Sequence, residues 1–584
     1  MTLTLFINGT IAPSHGGPRK ESEETAHLSA LAVQDGIIVA VGAEALALAS
    51  PADETIDLGG GYLSPSFADG HAHPLFGGLE EMGPRIRSCT SVPEIVEAVG
   101  VWASEHPEQE WILGASYDAT LAPEGIFDAT WLDDAVPDRP VVLKSWDYHT
   151  VWVNSAALRA AGIDRDTPEP ALGRIVRRSD GSPRGTLMEA GAIDLVLKVA
   201  PGYSLEDRVE ALRSATARFA AAGVTWVQDA WVELEDVAAY LTAASSGALS
   251  TRVNLAFRAD PQEWTGQPAL FDAARHRVQE LGSHMLTANT VKFFLDGIIE
   301  SRTAFMLDPY GDAPGELGLP NWLPNELQEA MATFDALGFQ LHLHAIGDAA
   351  VQMALDALEV LEQRNGPRDR RPVIAHLQVI NTDDIPRLAK LGVVANFEPL
   401  WACSDDVMQL LTIPRLGSPR AEQQYPMASL AKAGIPLSFG SDWPVTGHHP
   451  LPGLATAVTR QTPDKLPAGG WIPTERVDVA TALAAYTSGV SHQAFAEDEW
   501  GQLRPGMHAD MTLLSADPLH VQQNHLGDIK VLGTWLAGRP TYLHPGWAQH
   551  NQDMHGSPEA PQETPPAAEH RTQGTEADAC TSYS

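Results

Sequence analysis

Eight short apolar runs, separated by Ala-rich stretches of helical character, constrain this chain more than any other feature. They fall at residues 62–68, 224–228, 252–257, 290–295, 339–344, 372–377, 393–397 and 436–440. Strand-like runs alternating with helices are the pattern of βα units around a parallel sheet, and eight such units close a (β/α)8 barrel. In that architecture the catalytic side chains come from the C-terminal ends of the strands and the loops after them. The expected fold class is α/β, with a barrel over 61–499.

The gap between the first and second runs is too long for one βα connection and predicts an inserted subdomain at about 75–210. This insert contains Trp102, Trp111, Trp131, Trp146 and Trp152. Such aromatics point either to pocket walls above the barrel mouth or to the insert's own small core. Both chain ends read as β-structure. Leu5-Phe6-Ile7 precedes the turn signal Asn8-Gly9, and two β-rich runs flank Asp35-Gly36, a strong hairpin signal. Runs at 509–514 and 529–539 have the same character, which predicts a small β-sandwich-like domain assembled from 1–60 and 500–545. Residues 546–584, rich in Gln, Pro, Glu, Gly, Ser and Thr, are expected to form a disordered tail.

Composition narrows the function. Among 584 residues, 75 Asp and Glu against 38 Lys and Arg give a net charge of −37, which argues against a nucleic-acid partner. No apolar run is long enough to span a membrane, and the first residues lack the pattern of a secretory signal, so a cytoplasmic protein is the expectation. Cys89, Cys403 and Cys580 are too few and scattered for a disulfide framework or a cysteine zinc site.

Chemistry gathers at the ends of the apolar runs. The first run leads into Asp69-Gly70-His71-Ala72-His73. Alternate residues of a strand share a face, so the two imidazoles look the same way and can chelate a metal such as zinc. Lys292 lies in the fourth run, where a lysine is costly to bury unless neutralised or paired. His342 and His344 share a face at the end of the fifth, and either suits a ligand. His376 lies in the sixth, and Asp442 follows the eighth. Each has a bland role open to it: a core histidine, a snorkelling lysine, a turn aspartate. Those roles leave the order unexplained. His-x-His, Lys, His, His and Asp fall at the ends of runs one, four, five, six and eight, which a barrel brings to one mouth.

That order resembles the amidohydrolase superfamily of metal-dependent hydrolases. Gly-His-Ala-His, Val-Lys-Phe-Phe-Leu-Asp-Gly, His-Ala-Ile-Gly-Asp and Gly-Ser-Asp-Trp-Pro-Val are similar to its amidohydrolase-3 branch, which includes YtcJ-like proteins and N-substituted formamide deformylase. His149 with Asn154, and the closing Gly506-Met507-His508-Ala509-Asp510-Met511, extend the likeness from about residue 5 to 539. The resemblance implies a two-metal site holding divalent ions, zinc foremost. His71 and His73 would hold one ion, His344 and His376 the other, with Asp442 joining the first and Lys292 bridging as a CO2-derived carbamate.

It also implies hydrolysis of a non-peptide C–N bond in an amide, N-substituted formamide or cyclic amide by metal-activated hydroxide. Asp442 would act as general base and then acid, with His149, Arg302 and Tyr310 as candidates to hold the carbonyl oxygen or leaving group. Asp348 reads as a cap or a hydrogen-bond acceptor behind the ligands. The expected partner is a small molecule with an apolar substituent, and the family is compatible with a homodimer. Ester or lactone hydrolysis and a mononuclear deaminase are the alternative reactions. A metal-free binding protein on this scaffold is a further alternative, against which the complete set of six ligand-type residues speaks.

Overall fold

A computed structural model describes residues 2–12, 29–50 and 52–549. The chain divides into two units, Met1–His544 and Pro545–Ser584. In the second, residues 545–549 are helical, and the expected tail lies outside the described residues from 550 onward.

The centre of the first unit is a ring of eight parallel strands. They are β1 (Phe67–Ala72), β2 (Val224–Val232), β3 (Arg252–Arg258), β4 (Leu286–Phe294), β5 (Gln340–Ala345), β6 (Val373–His376), β7 (Val394–Phe397) and β8 (Leu437–Phe439). Each pairs with the next in chain order. Helices cover the outside, so most strand positions are buried, and the strands read as continuous apolar runs instead of alternating ones. The sheet curls until its edges meet, with the backbone N–H groups of Ser441 and Asp442 donating to the His71 carbonyl at 3.2 and 2.7 Å. Gly440 makes this approach possible, because a Cβ there would lie 2.7 Å from the His71 nitrogen.

The expected first barrel run, 62–68, merges two strands. Tyr62–Pro65 pairs antiparallel with Met511–Leu514, and the barrel strand starts only at Phe67. Tyr62–Pro65 belongs to a five-stranded sheet that also holds Thr10–Ile11, Val531–Leu536 and Arg539–Leu543, so both halves of the chain build it. A four-stranded sheet of Ile37–Val41, Ala30–Gln34, Leu3–Ile7 and Glu54–Asp57 accompanies it. Phe6 of one sheet meets Trp535 of the other edge to face at 5.4 Å. Asp35 and Gly36 both adopt positive φ (49° and 85°), as a two-residue hairpin turn requires.

Between β1 and β2 the chain forms a second five-stranded sheet: Arg174–Arg177, Pro183–Met188, Thr150–Val153, Val141–Ser145 and Ile112–Tyr117. It has a core on each face. Trp152 points into one and its neighbours Val151 and Val153 into the other, as strand periodicity dictates. Trp102 and Trp131 pack on the first core and Trp111 on the second, so four of the five insert tryptophans build the insert itself. Only Trp146 stays outside these clusters, half-buried.

Candidate metal centre

The C-terminal ends of β1, β4, β5 and β6 and the residue pair after β8 converge at one mouth. His71 and His73, two apart at the end of β1, both turn towards Asp442. The Asp442 Oδ1 lies 2.9 Å from His73 Nε2 and 3.5 Å from His71 Nε2. All three residues are buried, and their ligand-type atoms lie within 4.8 Å of one another. Asp442 Oδ1 is sealed from solvent and receives no well-aligned hydrogen bond among the described residues. A buried carboxylate oxygen close to two ring nitrogens, with no well-aligned hydrogen bond, is an arrangement that a divalent cation satisfies.

Lys292, fully buried near the end of β4, closes one side. Its Nζ sits 3.3 Å from His71 Nε2 and 4.7 Å from the centre of the Phe294 ring. Among the described residues no carboxylate lies within ion-pairing distance of it. Burial, only partly opposed by the charges of Asp442 and Glu398, lowers its pKa to about 7. Lys292 is thus an amine much of the time at neutral pH, not the fixed cation of a salt bridge.

His344 and His376 face each other with ring centres 4.5 Å apart, and His376 lies 4.8 Å from the His71 ring. Each is held from behind through Nδ1, His344 by Asp296 at 3.1 Å and His376 by Glu398 at 2.9 Å. Asp296 is itself fixed by the backbone N–H groups of Phe305, Ile346 and Gly347. A carboxylate on Nδ1 leaves Nε2 as the free ligand atom and raises its basicity. Burial first, then neighbouring positive groups, pushes His71 and His344 well below the usual histidine range, so both rings are neutral, the form that binds metals. For Asp442 burial works upward, but His73, with His376 and Lys292, outweighs it and holds the carboxyl below its ordinary value.

The donor set therefore fits metal ions, and the comparisons agree. A family model described as "Amidohydrolase family" matches residues 54–542. The chain belongs to the amidohydrolase family. It is accordingly a hydrolase acting on carbon–nitrogen bonds. "Protein LONG AFTER FAR-RED 3" of Arabidopsis thaliana is 32% identical over 92% of this chain and 91% of its own. "Putative amidohydrolase YtcJ" of Bacillus subtilis is 30% identical over 89% and 97%, and "N-substituted formamide deformylase" of Arthrobacter pascens is 27% identical over 88% and 95%. Among solved structures, an uncharacterized metal-dependent hydrolase from Pyrococcus furiosus superposes with a TM-score of 0.66 at 25% identity, covering 88% of this chain and all of that one.

The remaining expectations for this amidohydrolase divide. His149, at the insert's edge, places its ring 5.5 Å from that of His344. Its Nδ1 is 2.8 Å from Glu189 Oε2. Burial pulls the His149 pKa down, but Glu189, helped by Asp147 and Asp442, more than offsets this and raises it to about 9. Arg302 forms a bidentate pair with Asp312 through Nε and Nη2, at 3.1 and 2.6 Å. Tyr310 is likewise occupied, donating to the Ala304 carbonyl at 2.7 Å in a buried loop core. Asp348 accepts from the N–H groups of Leu307 and Ala349 at the start of its helix.

Several residues beyond the six candidate ligands stand directly behind the centre. His342 Nε2 lies 2.9 Å from His71 Nδ1, whereas the other β5 histidine, His344, faces His376. Asp69 accepts from Ser441 Oγ at 2.5 Å and from the N–H groups of Ser441 and His71, tying β1 to the chain after β8. Glu398 and Asp296 each follow a barrel strand directly or by one residue, a position that could have flagged them.

Proposed function

We propose that this chain hydrolyses a non-peptide C–N bond in a small amide, with N-substituted formamides and cyclic amides as the leading substrates. The observation that carries the reading is the convergence of His71, His73 and Asp442 on one point, with the fully buried Lys292, unpaired with any carboxylate among the described residues, beside them. The name of the Arthrobacter relative supports the formamide class.

His71, His73 and Asp442 would hold one divalent ion and His344 and His376 a second, with zinc the natural choice for these donors. The Lys292 amine can add to CO2, forming an N–C bond and releasing a proton. The product is an anionic carbamate that replaces a costly buried base with two oxygen ligands. Bound there, the ions supply Lewis acidity, polarising the scissile carbonyl and lowering the pKa of water towards neutrality.

The protein's own groups do the rest. The Asp442 carboxylate takes the proton from the attacking water and delivers it to the leaving nitrogen. Glu189 occupies Nδ1 of His149 and keeps the ring cationic at neutral pH. The Nε2–H of His149 is then free to donate to the carbonyl oxygen as negative charge develops on it.

The test is metal content per chain for wild type and Lys292→Ala, alongside a panel of amides, formamides, cyclic amides and matched esters. Two ions in the wild type, fewer in the variant, and turnover of amides or formamides are expected. One ion indifferent to the substitution would indicate a mononuclear, deaminase-like centre. Turnover of esters alone would reject the C–N assignment.

A further inference from the structure

The barrel mouth has an aromatic lining that the metal centre does not use. Phe76, just after β1, stacks on His73 with ring centres 5.4 Å apart and planes at 21°. Trp231 of β2 lies 5.8 Å from Phe76 and 4.6 Å from Phe294 of β4, which in turn lies 5.0 Å from His344. Tyr148 of the insert runs parallel to Phe76 at 6.3 Å. All four residues are half-buried, unlike the core aromatics, so each keeps some accessible surface, and Phe76 and Phe294 sit directly against the candidate ligands His73 and His344.

Above this wall sits Lys144. It projects from the insert strand Val141–Ser145, with Nζ 5.2 Å from the Phe76 ring centre and 5.1 Å from that of Tyr148. Among the described residues it has no ion pair within 4.0 Å and no hydrogen bond. The carboxylate that acts on it most strongly, Glu80, already accepts from Arg87, Ser116 and Tyr148. Burial lowers the Lys144 pKa to about 8, which leaves it mainly cationic at pH 7. A half-buried ammonium that touches only two aromatic rings and has no acceptor among the described residues can take an anionic partner from outside the chain.

We infer that Phe76, Trp231, Phe294 and Lys144 form a specificity subsite for a planar, apolar substituent ending in a carboxylate. The aromatic rings take the flat body and Lys144 takes the anion. From Lys144 Nζ to the His73 ring is at most about 11 Å by way of Phe76, a distance that one aromatic ring and a short linker span. This assignment rests on the amide-hydrolase reading above and names the substrate's distal chemistry within it.

The test compares N-(2-phenylethyl)formamide with its para-carboxy analogue on the metal-loaded wild type and on Lys144→Met. The wild type should favour the carboxylated substrate in kcat/KM by tenfold or more, chiefly through KM, and Lys144→Met should bring the ratio to about one. Equal kcat/KM for the two substrates in the wild type would overturn the subsite while leaving the amide-hydrolase reading intact. If the wild type hydrolyses neither, that reading fails for formamides, and calorimetry with 4-(2-aminoethyl)benzoate against 2-phenylethylamine then decides the subsite alone. Tighter binding of the carboxylate that Lys144→Met abolishes supports it, and no difference refutes it. Should Lys144→Met fail to fold, Trp231→Leu serves instead: it should raise KM for both substrates, and an unchanged KM would count against the aromatic wall.

Discussion

The most informative single substitution outside the candidate ligands is Glu189→Gln. Glu189 is buried, holds His149 Nδ1 at 2.8 Å, and also accepts from Ser301 and Thr303, so glutamine can keep the shape and the hydroxyl contacts while losing the charge. Burial by itself would depress the His149 pKa, and Glu189 is the main reason that it stands at about 9 instead of 6.5. That difference is worth about 3 kcal/mol between the two protonation states. At pH 8 the wild-type ring is about 90% cationic, whereas a ring at or below 6.5 is about 3% cationic. If the imidazolium donates to the developing oxyanion, kcat/KM of Glu189→Gln at pH 8 should fall about 30-fold and recover towards pH 6. Because the folded pKa lies above the unfolded one, the contact stabilises the fold fully below pH 6.5 and ceases to do so as pH rises through about 9. The assays are a pH–rate profile and NMR titration of the His149 ring, assigned with His149→Gln. A wild-type ring that titrates below pH 7, or a Glu189→Gln profile lowered equally at every pH, would refute the reasoning.

Asp442→Asn removes both a ligand atom and the proton acceptor, and should cost at least 10³-fold in kcat with an unchanged circular-dichroism spectrum. Trp152→Ala, at a fully buried position in the insert core, should destabilise that core by about 3–5 kcal/mol, read as an early transition in denaturant that spares the barrel. Arg252→Ala strands Asp510, its buried partner between β3 and the five-stranded sheet of both chain ends, and should lower stability by about 3–5 kcal/mol with little effect on kcat.

Much of the barrel was legible because strands covered by helices on the outside need continuous apolar runs, which stand out in sequence. The same property blurred the start. Tyr62–Pro65 and Phe67–Ala72 are both almost entirely buried, so nothing in their hydropathy marks where one sheet ends and the next begins. The convergence of His71, His73, Lys292, His344, His376 and Asp442 was readable because barrel geometry fixes where strand ends go. Glu189 was not, since its link to Thr303 spans 114 residues and depends on how the insert docks on the loop after β4. Aromatic content left two roles open, and the structure chose the inner one for most of the insert's tryptophans. The mouth is lined by Phe76, Tyr148, Trp231 and Phe294, which no local pattern groups together.

Backbone conformation supports the same site independently of its side chains. His376 (φ 79°), Asp442 (φ 51°) and Glu189 (φ 63°) all occupy the left-handed region that favours glycine. Each such residue costs about 1–3 kcal/mol and persists only where the surroundings demand it. At Asp442 the demand is visible. Its N–H and that of Ser441 both donate to the His71 carbonyl, closing the barrel and bending the chain so that the carboxylate returns towards His71 and His73. Glycine would relieve the strain and delete the ligand. Among acidic residues aspartate tolerates this conformation best, because its short side chain can bond locally. Barrel closure and carboxylate placement are therefore one structural event. A glutamate at 442 would have the right charge but should fail to rescue activity, which separates a requirement for position from a requirement for an acid.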